Sequence, residues 1–163
     1  MDSKHDRHLH HRLTVLGDYA LLDTPDEPSF DIIVQQAAAA IGTRMALVSL
    51  LDRHRQWFKA RVGIDLTETP IASSFCTHAI RGAGVLSVPD ARLDSRFADN
   101  PLVTGKPHIR FYAGAPLTLD GARIGTLCVL DDQPRSALST LQERYLEHLA
   151  QRATAAIRTR RAG

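Results

Sequence analysis

The sequence has few cysteines and no long apolar run. Only two of its 163 residues are cysteine, Cys76 and Cys128. Two distant cysteines in a chain without an N-terminal secretory signal are typical of reduced thiols, so no disulfide framework is expected. No apolar stretch approaches the roughly 20 residues that a membrane-spanning helix needs. We therefore expect a cytoplasmic protein that does not associate with a membrane.

The chain also lacks an excess of charge of either sign. Its 20 Lys and Arg residues nearly balance 18 Asp and Glu, which leaves a formal net charge of +2. A nucleic-acid-binding surface usually carries a larger basic surplus, so nucleic acid is not expected as a partner.

Motifs of metal and catalytic sites are missing as well. The sequence contains no C-x-x-C, H-E-x-x-H or glycine-rich phosphate loop, and no Ser/His/Asp order or paired acid motif. Four histidines near the N-terminus could hold nickel or zinc weakly, but their composition favours a solvated chain end: His5, His8, His10 and His11. We predict no catalytic metal and no enzyme activity, and the sequence names no cofactor.

The length and the hydrophobic content predict one folded domain. With 163 residues and 44% hydrophobic residues, the chain can bury a substantial core. We place this domain at residues 13–157, between a flexible, histidine-rich N-terminus (1–12) and a basic C-terminal end (158–163).

Hydrophobic periodicity predicts an α+β fold. Proline, glycine and capping residues bound the periodic segments, with Ser29 as a cap for the second helix and Ser139 with Gln142 as a capping box. The second strand alternates, with Trp57 and Lys59 opposite Phe58 and Ala60, as in an edge strand. Asp120-Gly121 predicts a two-residue hairpin, and 92–108 predicts a long, lid-like loop with one helical turn. The predicted helices span 9–20, 29–41, 75–81 and 139–157, and the strands span 45–52, 55–63, 85–91, 109–119 and 123–131.

The segment "SSFCTHAIRG" places a cysteine and a histidine two residues apart. On a helix with about 100° per residue, Cys76 and His78 point about 160° apart and cannot form a dyad with each other. Cys76 shares an apolar arc with Phe and Ile, which favours core packing over reactivity. The same interpretation applies to Cys128. His78 faces either solvent or a pocket.

Several sequence blocks, taken in order, resemble the bacterial GAF domain family. They are "RQWFKARVGID", "ETPIASSFCTHAI", "VPDARLDSRFADNPLVTG", "HIRFYAGAPL" and "IGTLCVLDDQPR", and the match runs from about Leu13 to Ala155. The resemblance implies an antiparallel sheet of five to six strands in the order 2-1-5-4-3. It also implies terminal helices on one face and a ligand pocket with a lid loop on the other.

The resemblance does not name a ligand. The cyclic-nucleotide subgroup has Asp-Glu where Ala115-Pro116 stand here, and bilin-binding members have histidine directly after cysteine, where Thr77 stands. Neither a cyclic mononucleotide nor a covalent pigment is therefore expected. The free methionine sulfoxide reductases of the family use three cysteines, and this chain has two.

The expected pocket combines three segments, and each residue also has a structural alternative. Trp57 could cover a sheet edge, Arg96 could pair with Asp94, and Asn100-Pro101 could form only a turn. Arg110 indicates an anionic ligand group or a buried Asp partner. The candidate pocket residues are Trp57, Thr77, His78, Arg81, Asp90, Asp94, Arg96, Phe97, Asn100, Arg110 and Tyr112.

These observations predict a small-molecule-sensing regulatory domain in bacterial signal transduction. The expected domain is non-catalytic and signals through its terminal helices, which also resemble dimerisation helices and predict a homodimer. Because no output domain is encoded, its output protein acts in trans or the chain is a fragment. Two alternatives stay open, a ligandless interaction or dimerisation module and an enzyme similar to the methionine sulfoxide reductases.

Overall fold

The computed structural model describes residues 3–162 and has an α+β architecture. Met1, Asp2 and Gly163 lie outside the described residues, so the predictions for 1–12 and 158–163 are covered only in part. The helices are α1 (Ser3–Tyr19), α2 (Pro28–Ile41), α3 (Cys76–Ala79), α4 (Pro101–Thr104) and α5 (Thr140–Ala162). The strands are β1 (Met45–Leu51), β2 (Arg55–Val62), β3 (Glu68–Pro70), β4 (Leu86–Val88), β5 (Phe111–Leu119) and β6 (Ala122–Asp131).

The six strands form one sheet in which every neighbouring pair is antiparallel. Their order is β3-β2-β1-β6-β5-β4. If the three-residue β3 is set aside, the remaining strands, numbered along the chain, follow 2-1-5-4-3. β4 pairs with β5 only at Tyr112, Ala113 and Gly114, so the outer edge of β5 continues past it. The central position of β1 explains why all its residues are buried.

The three long helices cover one face of the sheet. On α2, five apolar residues at helical spacing face the sheet, and Gly42 ends the helix with a φ of 84°. The residue at the N-cap of α2 is Glu27, not Ser29 as predicted. The main core lies between these helices and alternate strand residues such as Val48, Ala113 and Leu127.

The opposite face is covered by a layer of short elements, which we call the roof. It consists of α3, α4 and two 3-10 turns, Ile71–Ser73 and Ala91–Leu93. The predicted loop 92–108 thus holds α4 in addition to part of one 3-10 turn. A second apolar cluster lies between the roof and the sheet and includes Phe75, Phe97 and Tyr112.

Both predicted turn and cap motifs near the C-terminal half are confirmed. Asp120 and Gly121 have positive φ angles of 51° and 79°, as the hairpin between β5 and β6 requires. Ser139 and Gln142 exchange the two hydrogen bonds of a capping box, at 2.9 and 3.2 Å.

Two local predictions differ from the structure. The segment predicted as flexible is helical from Ser3, because α1 continues through it to Tyr19. In β2, a register shift opposite Val48 and Ser49 inserts Lys59 as an extra residue. The bulge breaks the predicted alternation, so Trp57 and Ala60 lie in the same helix-side core.

Within residues 3–162, no helix is long and apolar enough to cross a bilayer.

Candidate functional site

A small polar cluster lies at the centre of the roofed face of the sheet. Ser49 on β1 is paired in register with Thr126 on β6, and Cys128 follows two residues later on the same face. Tyr112 reaches the cluster from β5, and Cys76 reaches it from α3 in the roof. All five residues are buried. A cysteine from the roof thus meets hydroxyl groups and a second cysteine from the sheet.

The Cys76 sulfur is the centre of this cluster. It lies 2.9 Å from Thr126 Oγ1 and accepts a hydrogen bond of 3.3 Å from the Tyr112 hydroxyl. Tyr112 and Thr126 are themselves 3.5 Å apart. Cys128 lies close enough to Cys76 for each thiol to shift the pKa of the other. The two cysteines of the chain are therefore neighbours, although 51 residues separate them in the sequence.

The cluster shifts the acidities of its members in opposite directions. Burial raises the pKa of the Cys76 thiol, but the neighbouring Cys128, Thr126 and Tyr112 side chains outweigh burial and bring the pKa down to about 7. The Ser49 hydroxyl has no partner within hydrogen-bonding distance among the described residues, yet lies close enough to add to this lowering. The pKa of Cys128 is raised well above its ordinary value, mainly by burial and to a smaller extent by interactions with Cys76. Cys76 is thus the thiol that ionises first.

Gly114 determines where the Tyr112 hydroxyl lies. The Tyr112 ring leans along its own strand over Gly114, and a Cβ at that position would overlap the hydroxyl oxygen and lie 2.8 Å from Cζ. Only glycine leaves this space free. The hydrogen bond from Tyr112 to Cys76 therefore depends on a close approach that any other residue would block.

Aromatic rings close the roof above the cluster. Phe75 and Phe97 stack at 4.2 Å between centroids, and the His78 ring meets Phe97 edge-on at 4.9 Å. The Arg96 guanidinium lies 5.1 Å from the Phe97 centroid. Asn100, at the N-cap of α4, connects this helix to the 3-10 turn Ile71–Ser73 by donating a 3.0 Å hydrogen bond to the Ser73 carbonyl oxygen.

A cavity of about 20 Å³ lies between the roof and the sheet. A space of this size holds about one water molecule and no metabolite. Its lining is mostly apolar, with two thiols, a phenol, an amide and one threonine hydroxyl. The lining residues are Leu47, Gln56, Phe58, Ile64, Leu66, Thr69, Phe75, Cys76, Leu102, Pro107, Ile109, Tyr112, Cys128 and Leu130.

Some of the predicted site residues come together in the roof, but only Tyr112 lines the cavity. Phe97, His78 and Arg96 form the stack on the outer side of Phe75. Thr77 lies next to them, and its buried hydroxyl has no hydrogen-bond partner among the described residues.

The charged candidates are used mainly within the roof itself. Asp94 pairs with Arg96 at 2.7 Å, and Asp90 pairs with Arg92 at 2.8 Å, each across two residues of chain. Arg81 is exposed and lies 3.5 Å from His78 Nδ1. The pair between Asp94 and Arg96 is the structural alternative to a pocket role that the sequence analysis gives for Arg96.

Trp57 and Arg110 do not face the cavity. Trp57 packs in the helix-side core on the other face of the sheet. Arg110 precedes β5 and donates a 2.9 Å hydrogen bond to the Val103 carbonyl oxygen. It also lies close enough to Asp90 to help lower the pKa of that carboxyl, after the larger effect of Arg92.

Sequence reasoning missed most of the residues that build the cluster. Ser49, Thr126 and Cys128 lie within apolar strands, and the sequence pattern of those strands predicts core residues at these positions. The signal that could have found them is the two-residue spacing of polar side chains on one face of β6. The predicted burial of Cys76 is confirmed, but its polar partners come from strands distant in sequence.

The comparisons with known proteins agree with one another. The family model described as "GAF domain" matches residues 27–157. A cyclic di-GMP phosphodiesterase of Pseudomonas aeruginosa is 46% identical over 153 residues, which are 93% of this chain and 26% of that protein. The chain therefore spans about a quarter of the length of the curated relative that it matches.

Solved structures with the same fold include proteins of different kinds. The GAF domain of an Acinetobacter phosphoenolpyruvate-protein phosphotransferase superposes with a TM-score of 0.69 at 20% identity, covering 99% of this chain and 97% of that one. The free methionine-R-sulfoxide reductase of Neisseria meningitidis superposes with a TM-score of 0.65 at 18% identity, covering 99% and 95%. At these identities the likeness concerns the fold alone.

Proposed function

We propose that this chain, which belongs to the GAF domain family, is a non-catalytic regulatory domain that senses a small molecule in a signalling protein. The relative named as a cyclic di-GMP phosphodiesterase supports a place in cyclic di-GMP signalling. The observation that carries the proposal is the difference between the two faces of the sheet. One face carries long terminal helices, and the other carries a thin roof over an apolar cavity.

The roof is the part of the domain that can respond to a ligand. Its helices α3 and α4 have only four residues each, so few backbone hydrogen bonds resist their displacement. The sheet beneath is continuous and contacts α1, α2 and α5 from its other side. Movement of the roof can therefore shift how the strands support the terminal helices, as a change in the population of two arrangements.

The cavity lining indicates the chemistry of the ligand. The groups that face it are apolar side chains, two thiols, and the hydroxyl and amide groups of Tyr112, Thr69 and Gln56. This lining favours a small, uncharged molecule that accepts or donates one or two hydrogen bonds. Because the closed cavity has room for about one water molecule, such a ligand enters only when the roof opens.

The small cavity also favours a second candidate, a ligandless interaction module. In that case the apolar cluster under the roof is only a second core, and partner contacts alone would carry the signal. A reductase similar to the methionine sulfoxide reductases would instead turn over methionine sulfoxide with a thiol reductant, and we expect no turnover.

The first test is native mass spectrometry of protein purified from its own host, beside a denatured control. A small mass that is lost on denaturation supports the sensor. Bare protein, together with no shift in melting temperature across a panel of uncharged metabolites, supports the interaction module and contradicts the sensor.

Leu66→Trp tests where the ligand enters. Leu66 lines the cavity and is 40% exposed, so a larger side chain there narrows the entrance. We expect the affinity for the ligand found by native mass spectrometry to fall about tenfold, as loss of about 1.4 kcal/mol would give. Leu93→Trp is the matched control, because Leu93 is 86% exposed and lies outside the cavity lining. Equal affinities in the two variants would contradict entry at this position.

We further propose a homodimer that pairs through the terminal helices, with an output protein or output domain downstream. The exposed Leu141 and Tyr145 support pairing along α5, since they lie one helical turn apart.

A further inference from the structure

The proposed regulatory function makes no use of the chemical reactivity of the two thiols. Cys76 and Cys128 both line the same small cavity, and the Cys76 sulfur lies 2.9 Å from Thr126, two residues before Cys128 on the same face of β6. We propose that they form an oxidation site, at which Cys76 reacts with a hydroperoxide and Cys128 then closes a disulfide with it. This inference goes beyond ligand sensing and does not depend on it.

The surroundings of Cys76 favour the charged form of its sulfur. Tyr112 and Thr126 place hydroxyl groups 3.3 and 2.9 Å from the sulfur. The buried Ser49 hydroxyl lies nearby and has no hydrogen-bond partner among the described residues. Hydrogen bonds to a charged acceptor are about twice as strong as those between neutral groups. An apolar core position would not need several hydroxyl groups around one thiol.

The acidity of Cys76 agrees with this geometry. Its pKa of about 7 leaves a large fraction of the sulfur ionised at neutral pH, and the thiolate is the form that attacks peroxides. The pKa of Cys128 is raised, so Cys128 stays protonated until Cys76 has reacted. The two thiols therefore have separate roles, one as the attacking thiolate and one as the resolving thiol.

The cavity selects the size of the oxidant. Its volume of about 20 Å³ accepts one water molecule, and hydrogen peroxide has only one more oxygen atom. Ile64 and Leu66 line the same cavity and are partly exposed, which gives a small molecule a route from solvent. Bulky hydroperoxides and protein disulfides cannot reach the sulfur while the roof is closed.

The reaction balances with hydrogen peroxide as the only oxidant. The Cys76 sulfur attacks one peroxide oxygen, the S–O bond forms, the O–O bond breaks, and the leaving oxygen departs as water after taking up a proton. The Cys76 sulfur is now a sulfenic acid, oxidised by two electrons. The Cys128 sulfur attacks it, the S–S bond forms, the S–O bond breaks, and the hydroxide leaves as a second water with the Cys128 proton.

The product would join the roof to the centre of the sheet. Cys76 belongs to α3, and Cys128 belongs to β6 between β1 and β5. The disulfide would hold the roof closed over the cavity until a thiol reductant cleaved it.

The test uses the reduced 163-residue chain, hydrogen peroxide at pH 7, and a denaturing quench with N-ethylmaleimide. We expect protein that takes up no maleimide and yields a peptide in which Cys76 is linked to Cys128. This measurement needs no variant. Two maleimide groups per chain after peroxide treatment, or disulfides only between chains, would overturn the proposal.

Variants separate the two roles. In Cys128→Ser, peroxide should leave Cys76 as a sulfenic acid that dimedone traps, whereas in Cys76→Ser we expect Cys128 to stay fully reactive with maleimide after unfolding. Dimedone capture at Cys128 in Cys76→Ser, at the rate seen for Cys76, would contradict the assigned roles.

Tyr112→Phe tests the hydroxyl that faces the sulfur. Loss of one charge-assisted hydrogen bond should slow disulfide formation about fivefold at pH 7. Tyr145→Phe is the matched control, because Tyr145 lies on α5 and is 39% exposed, and its rate should equal that of the parent. Equal rates for all three proteins would show that the hydroxyl cluster does not activate Cys76. Since sulfenic acid trapping and peptide mapping do not involve a metabolite, these results are independent of whether a ligand binds.

Discussion

The charge of His78, on α3 of the roof, depends on its neighbours. Burial lowers the pKa of its imidazole, and Arg81 and Arg96 lower it further, while Asp94 acts in the opposite direction. The ring lies against Phe97 and is neutral in the folded protein at pH 7. The residue therefore behaves as an aromatic packing partner, not as a cation for a ligand.

This lowering predicts a pH-dependent stability. Because the folded pKa lies below the ordinary 6.5, the unfolded chain binds the proton first as the pH falls, and stability is lost between pH 6.5 and the folded pKa. His78→Gln removes the contribution, so its unfolding free energy should fall less between pH 7 and pH 5 than that of the parent. Urea unfolding at several pH values measures the difference. Parallel curves for the two proteins would show that His78 is already solvated.

At the scale of elements, one carboxylate connects three of them. Glu27, at the N-cap of α2, pairs with Lys59 at the bulge of β2 and with Arg160 near the end of α5, the latter at 2.8 Å. The Lys59 side chain is only 1% exposed and also donates to Thr24 and to the Pro25 carbonyl oxygen. The Lys59 ammonium also lies 5.4 Å from the centroid of the Phe30 ring, so this lysine reaches the first turn of α2.

Glu27→Gln should therefore lower the free energy of unfolding by more than the substitution of an ordinary surface carboxylate. We expect a loss of about 2 kcal/mol, below the range for fully buried pairs because Lys59 keeps two other acceptors. Glu68→Gln is the matched control, since Glu68 is 49% exposed and its partner Arg55 also binds Asp23 and Asp52. That control should cost less than about 0.5 kcal/mol. Urea unfolding that gives equal losses for the two variants would contradict a special role for the Glu27 contacts.

The elements themselves could largely be predicted from the sequence, because their signals are local. Prolines before α2, the capping box at Ser139 and the Asp120-Gly121 turn each act within a few residues. The bulge at Lys59 has no such signal, since it depends on how β2 pairs with β1. For the same reason the alternation of β2 predicts the wrong face for Ala60.

The candidate site could be predicted less well, because it depends on contacts between distant segments. The sequence pattern predicts charged residues such as Asp94 and Arg96 as pocket residues. Because only two positions separate them, they form an ion pair with each other. When each strand is considered separately, Ser49, Thr126 and Cys128 have the pattern of core residues. Only the sheet order, which brings β1, β6 and β5 side by side, shows that they surround Cys76.

At the scale of the whole molecule, the proposed homodimer can be tested through α5. Leu141 is 77% exposed at the start of this helix, and Leu141→Glu would place a charge in the pairing surface. We expect the parent to sediment as a dimer and the variant to dissociate at least tenfold more readily, as loss of about 1.4 kcal/mol would give. Leu93→Glu, in the roof, is the control and should leave the dimer intact. A parent that sediments as a monomer at high concentration would contradict the proposal.

The open edge of β5 has a consequence for aggregation. Beyond Gly114 no strand within residues 3–162 pairs with the outer side of β5, and such an edge can template the addition of strands from other molecules. Pro116 lies in this stretch and supplies no N–H, while Glu147 and Gln151 of α5 line the groove beside it. A proline and a carboxylate thus lie along this open edge, where both features disfavour pairing with strands of other molecules.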